Sequence, residues 1–254
     1  MAEDNSFITH FCRLTASDLR LLADLHATEL TRERIQELKD LDFPSLLALQ
    51  PQDSAFQLTL QQLDTCIKEW PAAIPAKTLD DLASDFADIY LNGSFRGSPQ
   101  ESVWIDEEEL TCQQPMFEVR EWYAKHNLAV PDWRKMADDH LVNQLLFVAH
   151  LLDKAAPEQD AALLTETARF LDDHLLRWLL PFGQRVVARC STLFYAALAL
   201  TTALYAEQLR DLLADILNTP RPSREEIENR MKANRTAHVK PEPVRFYPGA
   251  APSW

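Results

Sequence analysis

The sequence contains only four glycines among 254 residues, while leucine and alanine are abundant. β-Sandwiches and phosphate-binding loops both depend on glycine at tight turns, so this composition disfavours them and favours packed helices. Neither a G-x-x-x-x-G-K-[ST] loop nor a G-x-S-x-G nucleophile elbow occurs. The sequence therefore offers no conventional nucleotide site and no nucleophile of the α/β-hydrolase type.

Cysteine is equally scarce. The four cysteines lie far apart and form no C-x-x-C pair, the spacing that structural zinc sites use. No H-E-x-x-H and no Glu-x-x-His di-iron pattern is present either. We therefore expect no bound metal or other cofactor, and we interpret Cys190, which lies in an apolar stretch, as a small core residue.

Long apolar runs and an excess of basic residues are also absent. The longest apolar stretch, 194–206, contains two threonines and is shorter than the ~20 residues that span a bilayer. The first residues lack the basic and apolar regions of a secretory signal, so we expect a cytoplasmic protein without membrane insertion. The net charge of −14 argues against nucleic acid as a partner and suits basic ligands or peptides.

What the sequence does contain is apolar residues spaced three and four apart, which predicts helices along nearly the whole chain. Thr31 and Asp53 are predicted N-caps, and Gly93 is a predicted left-handed cap. Pro181 is expected to end or kink the helix that precedes it. The predicted helices cover 16–28, 31–41, 53–67, 78–92, 115–126, 133–155, 158–180 and 192–217.

Two breaks divide this pattern. The segment 93–106 carries two of the four glycines and is predicted to join two helical halves of one domain, 1–218. Beyond it, residues 219–254 form a proline-rich tail in which Ser223 and Glu226 make a capping-box pattern for one short helix to about Asn234. The aromatic residues of the tail allow two interpretations, an anchor in a groove or a mobile end; they are Phe246, Tyr247 and Trp254.

The sequence Asp-Asp-His-Leu occurs twice, at 138–141 and 172–175, each time within an apolar helical pattern. In the first copy, Asp138 and Asp139 either complement the dipole of a helix N-terminus or form a polar edge that meets a basic group. In the second copy the aspartates fall in mid-helix, where we expect a solvated face with His174 pointing inward. The alternative is a second polar edge, formed by Asp173, His174 and Trp178.

The residues alone leave three classes of function open. His140 with Asp139 could serve a hydrolase or lyase as acid and base. The helices could form a scaffold for another folded protein, with the tail as the contact. The carboxylates could instead form a polar edge beside an apolar groove, where they meet a basic group of a ligand or peptide.

Three ordered motifs resemble one known family. They are Ser98-Pro-Gln-Glu-Ser-Val-Trp-Ile-Asp106, then Asp138-Asp-His-Leu141 with Leu145-Leu-Phe147 after it, and then Phe170-Leu-Asp-Asp-His-Leu-Leu-Arg-Trp178. Their order and spacing, over residues 16–217, resemble the TorD/DmsD family of cytoplasmic chaperones for molybdenum-containing redox enzymes. Gln100 departs from the pattern, because many relatives have an aromatic residue after the proline.

The resemblance implies a single all-α bundle that is not an enzyme. Such a chaperone binds the twin-arginine signal peptide and the body of an apo molybdoenzyme, and holds it for insertion of the molybdenum cofactor before export. The resemblance does not fix the oligomeric state. The 93–106 segment is compatible with a monomer and with a domain-swapped homodimer. The implied peptide-binding residues are Asp138, Asp139 and His140, with Pro99, Ser102 and Trp104 from the connecting segment.

Overall fold

The computed structural model describes residues 2–93 and 97–238, which fold into α-helices without a β-strand. The prediction of an all-α fold is therefore confirmed. Two π-helical turns interrupt the α-helices, at Ala87–Leu91 after α4 and at Leu171–Leu175 between α8 and α9. The helices are α1 (Ala2–Ala27), α2 (Arg32–Asp40), α3 (Ser54–Glu69), α4 (Ala76–Phe86), α5 (Ser102–Ile105), α6 (Gln114–Lys125), α7 (Leu141–Ala155), α8 (Ala161–Phe170), α9 (Leu176–Arg189), α10 (Leu193–Leu217) and α11 (Arg224–His238).

Local capping signals explain where several helices begin and end. The side chain of Thr31 accepts a hydrogen bond from the Arg34 amide at 3.2 Å, and that of Asp53 accepts one from the Phe56 amide at 2.8 Å. Each bond satisfies one amide that the first helical turn leaves without a partner. Gly93 has a φ of +61°. These three predicted caps are confirmed.

Three predicted helix boundaries are wrong. Helix α1 begins at Ala2, fourteen residues before its predicted start at residue 16. Helix α7 begins at Leu141, so Asp138 and Asp139 precede the helix instead of forming its first turn. Pro181 does not end its helix, because α9 continues to Arg189. The proline is exposed, while Phe182 and Val186 are buried, so packing of that face stabilises the turns beyond the lost hydrogen bond.

Helix α10 lies at the centre of the core, and its apolar residues are buried on nearly every side. It packs against α3 and α9, while α1 packs along α7. Elements from before and after the segment 93–106 therefore share one core, and the two halves of the sequence do not form separate bodies. By their contacts, residues 1–221 form one compact unit and residues 222–254 another.

The second unit contains α11, which begins with the predicted capping box. The Ser223 amide donates to Oε2 of Glu226 at 2.7 Å, and the Glu226 amide donates to Oγ of Ser223 at 3.2 Å. The helix continues to His238, four residues beyond the predicted end. The tail residues Phe246, Tyr247 and Trp254 lie outside the described residues. Among the helices that are described, none combines the length and the apolar character that crossing a bilayer requires.

Gly183 allows α9 and α10 to approach closely. A Cβ atom built on Gly183 would lie 3.1 Å from the carbonyl oxygen of Ala199 in α10. Because that neighbour is backbone, the helices would have to move apart. We expect Gly183→Val to lower the free energy of unfolding by about 2–3 kcal/mol, as overpacking of a core does. Urea denaturation measures this, and Ala188→Val at an exposed position of α9 is the control, with an expected loss of about 0.5 kcal/mol.

Candidate functional site

The connecting segment and the first Asp-Asp-His-Leu motif are joined backbone to backbone. The Leu141 amide donates to the carbonyl oxygen of Pro99 at 2.8 Å, and the Glu101 amide donates to that of Asp139 at 3.1 Å. Gln100 and His140 thus form an isolated antiparallel β-bridge. Two motifs almost 40 residues apart in sequence therefore form one structural unit, with Pro99 buried within it.

Asp139 binds the start of the short helix α5. One carboxylate oxygen, Oδ2, accepts hydrogen bonds from the amide and the hydroxyl of Ser102, at 2.8 and 2.6 Å. Both residues are fully buried. Burial raises the pKa of Asp139, and its two bonds from Ser102 oppose that rise. The other carboxylate oxygen, Oδ1, is buried without a hydrogen-bond partner.

His140 is the N-cap of α7. Its Nδ1 accepts a hydrogen bond from the Val142 amide at 3.2 Å, which requires the neutral imidazole. Burial lowers its pKa to about 4. Asp139 binds Ser102 and His140 binds Val142, so the two side chains are not arranged as a base and its orienting acid.

Asp138 faces the surface side of the same motif. Its Oδ2 accepts a hydrogen bond from Nη2 of Arg120 at 2.8 Å, and its backbone oxygen accepts one from the Tyr123 hydroxyl at 2.9 Å. The Asp138 side chain is 3% exposed, whereas that of Arg120 is 40% exposed. The guanidinium of Arg120 also lies over the rings of Phe117 and Trp133, at 5.4 and 5.7 Å from their centroids.

The second Asp-Asp-His-Leu motif coincides with the π-helical turn at Leu171–Leu175. Asp172 forms a bidentate pair with Arg210 of α10, with Nε–Oδ1 and Nη2–Oδ2 distances of 2.9 Å, and Nε of Arg169 lies 3.2 Å from Oδ2 of Asp173. Both aspartates are buried, so the expected solvated face is wrong. The bidentate pair offsets the cost of placing the Asp172 charge in the core.

His174 and Trp178 are also buried, so neither lies at an exposed polar edge. The expectation that His174 points inward is confirmed. The indole nitrogen of Trp178 lies 3.4 Å from Oε1 of Gln144 in α7, and its ring packs against Phe182 at a centroid distance of 5.8 Å. These side chains hold α9 against the rest of the core.

Glu101 connects the two copies, and our sequence reasoning missed it. It is fully buried, its Oε1 lies 3.1 Å from Nδ1 of His174, and its Oε2 accepts a hydrogen bond from Gln144 at 2.7 Å. Arg177 places a second cationic nitrogen 3.9 Å from Oε1. The signal for Glu101 in the sequence is its position. It is a carboxylate between Pro99 and Ser102, inside one of the three motifs that carry the family resemblance.

Trp104 forms a hydrogen bond within the connecting segment and packs against α9. Its indole nitrogen donates to the carbonyl oxygen of Ser98 at 2.8 Å, and its ring meets Phe182 edge-on at a centroid distance of 6.4 Å. The ring is partly exposed, and the Arg185 guanidinium lies 5.8 Å from its centroid. Five of the six predicted peptide-binding residues are therefore buried, and Trp104 alone keeps appreciable exposed area.

The accessible surface next to this cluster is apolar. A cavity of about 280 Å³ lies between the segment 128–131 and α7, and Tyr123, which donates to Asp138, also lines it. Leu128 and Leu146 of this cavity are 37% and 42% exposed. A larger groove of about 680 Å³ runs between α1 and α10, and none of the predicted site residues lines either cavity, but Tyr123 links the smaller one to Asp138. We therefore assign the site by its chemistry to the smaller cavity.

Chemically, the cluster offers carboxylates and hydrogen-bonding groups, and no metal site. Within residues 2–93 and 97–238, no three His, Cys, Asp or Glu side chains are grouped so as to hold a metal ion. The Cys190 thiol donates to Asp85 at 2.9 Å, and burial together with this carboxylate raises its pKa to about 12. A thiol that stays protonated is a poor nucleophile.

Comparisons with known proteins identify the family of the chain. A family model described as nitrate reductase delta subunit matches residues 50–184, which is just over half of the chain and includes every predicted site residue. The chaperone protein TorD of Aliivibrio fischeri is 26% identical over 186 residues, covering 69% of this chain and 83% of that protein. TorD of Vibrio cholerae is 29% identical over 142 residues, covering 54% and 64%, and TorD of Histophilus somni is 28% identical over 185 residues, covering 70% and 86%.

The matched relatives are named as chaperones, and the arrangement of Asp139 and His140 does not support acid–base catalysis. The hydrolase or lyase interpretation is therefore abandoned. The chain belongs to the nitrate reductase delta subunit family of TorD-type chaperones, which are not enzymes.

Proposed function

We infer that the chain is a cytoplasmic chaperone that binds the twin-arginine signal peptide of an apo molybdoenzyme. It holds that enzyme for insertion of the molybdenum cofactor before export. Family membership supports the chaperone class and a redox enzyme as the client. The peptide itself is proposed from the chemistry of the site.

The observation that carries the proposal is the position of Asp138 beside an apolar cavity. Tyr123 contacts both, because its hydroxyl donates to the backbone oxygen of Asp138 and the residue also lines the cavity. A twin-arginine signal peptide presents guanidinium groups followed by an apolar segment. A carboxylate recognises the first part through charge-assisted hydrogen bonds, and exposed leucines bind the second by excluding water.

The net charge of the chain favours the same class of ligand. With 39 acidic and 25 basic residues, its summed field attracts a basic peptide and speeds the encounter at low salt. This attraction is not specific, so the geometry of the site has to discriminate arginine from lysine. The planar fork of a guanidinium matches a carboxylate better than an ammonium does.

Calorimetric titration with a twin-arginine leader, beside the same peptide with Lys-Lys, tests the proposal. We expect dissociation in the micromolar range or tighter for the arginine peptide, and weaker binding of the lysine peptide. The absence of binding to any twin-arginine leader, while the client enzyme itself is bound, would move recognition to the folded body of the client.

A substitution in the cavity locates the binding site. Because Asp139 and His140 are buried within the fold, an exposed residue gives a cleaner result. We expect Leu146→Gln to weaken leader binding about 5- to 10-fold through lost apolar burial. Leu193→Gln, at a position of similar exposure (49%) at the start of α10, should leave the affinity unchanged. Equal affinities for the two variants would place the peptide elsewhere.

A further inference from the structure

The guanidinium of Arg120 lies in a site that is built like a receptor for a ligand. A buried carboxylate, Asp138, binds it from one side at 2.8 Å, and the rings of Phe117 and Trp133 flank it at 5.4 and 5.7 Å. We name these three residues the guanidinium cradle. Carboxylate oxygens and aromatic faces together are the groups that bind arginine strongly.

We propose that Arg120 is an internal substitute for the ligand, occupying in the free chaperone the place that an arginine of the client's signal peptide takes in the complex. The inference rests on the proposed function and adds a mechanism of self-occlusion to it. In the absence of client, the buried carboxylate keeps a cation and the cradle is closed. Binding then exchanges one guanidinium for another.

The contacts of Arg120 differ from those of an arginine that fixes the fold. Arg210 and Asp172 form two hydrogen bonds, and both of their side chains are 4% exposed. Arg120 makes one hydrogen bond to Asp138, and its side chain is ten-fold more exposed, at 40%. Because the Arg120 guanidinium already contacts solvent, it can leave Asp138 at little cost when another cation takes its place. The buried carboxylate, in contrast, requires a cation at all times.

The rings of the cradle support an external ligand. Phe117 is 45% exposed and Trp133 is 40% exposed, and Leu128 and Leu146 of the neighbouring cavity are exposed as well. Clustered exposed apolar side chains next to a charged group mark an interaction surface. A peptide that places its arginine in the cradle can place its apolar segment in the cavity of about 280 Å³, which Tyr123 connects to Asp138. This second contact gives the incoming arginine the advantage over Arg120.

Exchange accounts for the geometry better than simple addition does. Two guanidinium groups at one carboxylate repel each other, and the single buried carboxylate neutralises only one of them. Arg134 is already near the cradle, with its guanidinium 5.0 Å from the centroid of Trp133. A leader arginine therefore has to displace Arg120 to gain both the carboxylate and the rings.

The test uses Arg120→Ala and the matched control Arg134→Ala, which removes a guanidinium from the same ring but leaves the pair with Asp138. Removing an occluding group raises the apparent affinity by the inverse of the open fraction, so we expect Arg120→Ala to bind the twin-arginine leader about 5- to 10-fold more tightly. Arg134→Ala should change the affinity less than about twofold, which covers the nonspecific loss of one positive charge.

A small probe tests the cradle independently of any signal peptide. N-acetylarginine amide at millimolar concentration should raise the melting temperature of Arg120→Ala, because it restores a cation to Asp138. The same concentration of N-acetyllysine amide should raise it less, and the wild type should respond to neither. If Arg120→Ala does not fold, Arg120→Lys keeps the charge without the planar fork and should also bind the leader more tightly than the wild type.

Equal or weaker leader binding by Arg120→Ala and Arg120→Lys overturns the inference while leaving the proposed function intact. Failure of every variant and of the wild type to bind the leader, with N-acetylarginine amide still stabilising Arg120→Ala, overturns the proposed function but supports the cradle. The absence of stabilisation by the amide shows that the cradle does not accept an external guanidinium.

Discussion

Glu101→Ala is expected to lower the free energy of unfolding by about 3–5 kcal/mol, the cost of removing one partner from a buried ionic cluster. The carboxylate of Glu101 holds Gln144 of α7 at 2.7 Å and His174 at 3.1 Å, and the guanidinium of Arg177 lies 3.9 Å away. In the alanine variant the polar groups of these partners would stay buried but would lose the carboxylate that they bind. Urea denaturation followed by circular dichroism measures the loss.

Two further variants separate charge from shape at this position. Glu101→Gln retains an acceptor oxygen and the side-chain volume, so we expect a loss about half that of the alanine variant, because only the ionic part is removed. Glu107→Ala, at an exposed position just after the connecting segment, should change the free energy by less than about 0.5 kcal/mol. If Glu101→Ala cost no more than Glu107→Ala, the cluster would not stabilise the fold.

Acidification from pH 6.5 to pH 4 is expected to destabilise the protein, by about 3 kcal/mol through His140 alone. Burial lowers the pKa of His140 to about 4 and that of His26 to about 3, whereas both titrate near 6.5 in the unfolded chain. Between these values the unfolded state binds more protons. The two histidines therefore make their whole contribution to the free energy of unfolding at pH values well above 6.5. That contribution is lost as the pH decreases toward their folded-state pKa values.

Buried carboxylates act in the opposite direction. Burial raises the pKa of Asp18, Asp139 and Asp172 in the folded state, so each binds its proton more readily when folded. Their protonation offsets part of the histidine effect at the acidic end of the range. The loss from the two histidines should be steepest midway between their unfolded- and folded-state pKa values, at about pH 5, and the carboxylates make it shallower as they become protonated.

His140→Asn isolates the contribution of His140 to this pH dependence. Asparagine supplies the side-chain acceptor that an N-cap needs but has no titratable group. Denaturation at several pH values between 4 and 7.5 should show a shallower slope for this variant than for the wild type. His10→Asn, at an exposed position, is the control and should keep the wild-type slope. Identical slopes for His140→Asn and the wild type would assign the effect to other groups.

The parts of the fold that depend on neighbouring residues could be predicted from the sequence. The caps at Thr31, Asp53 and Gly93 are single-residue signals, and the structure shows each of them in use. The end of α10 before Asn218 is local in the same sense, since that residue has a φ of +47°. Such features follow from hydrogen bonds over three or four residues, which the sequence displays directly.

The parts that depend on distant partners could not be predicted. Whether Asp172 faces solvent or the core is decided by Arg210, 38 residues away, and the role of Glu101 depends on His174, 73 residues away. The course of α9 through Pro181 is likewise decided by packing on α10, not by the proline itself. The two Asp-Asp-His-Leu motifs are visible in the sequence, but nothing in them indicates that Glu101 joins them.

The π-helical turn at Leu171–Leu175 fixes how many residues this part of the chain must contain. Such a turn contains one residue more than an α-helical turn of the same rise, so it sets the rotational phase of every residue that follows it. Deleting one residue there would leave a regular helix, but it would rotate Trp178, Phe182 and Gly183 about 100° around the axis. Gly183 would no longer meet Ala199, and a bulky side chain would take its place against α10. The number of residues between Asp160 and Gly183 therefore constrains this helix as strictly as the identity of any side chain in it.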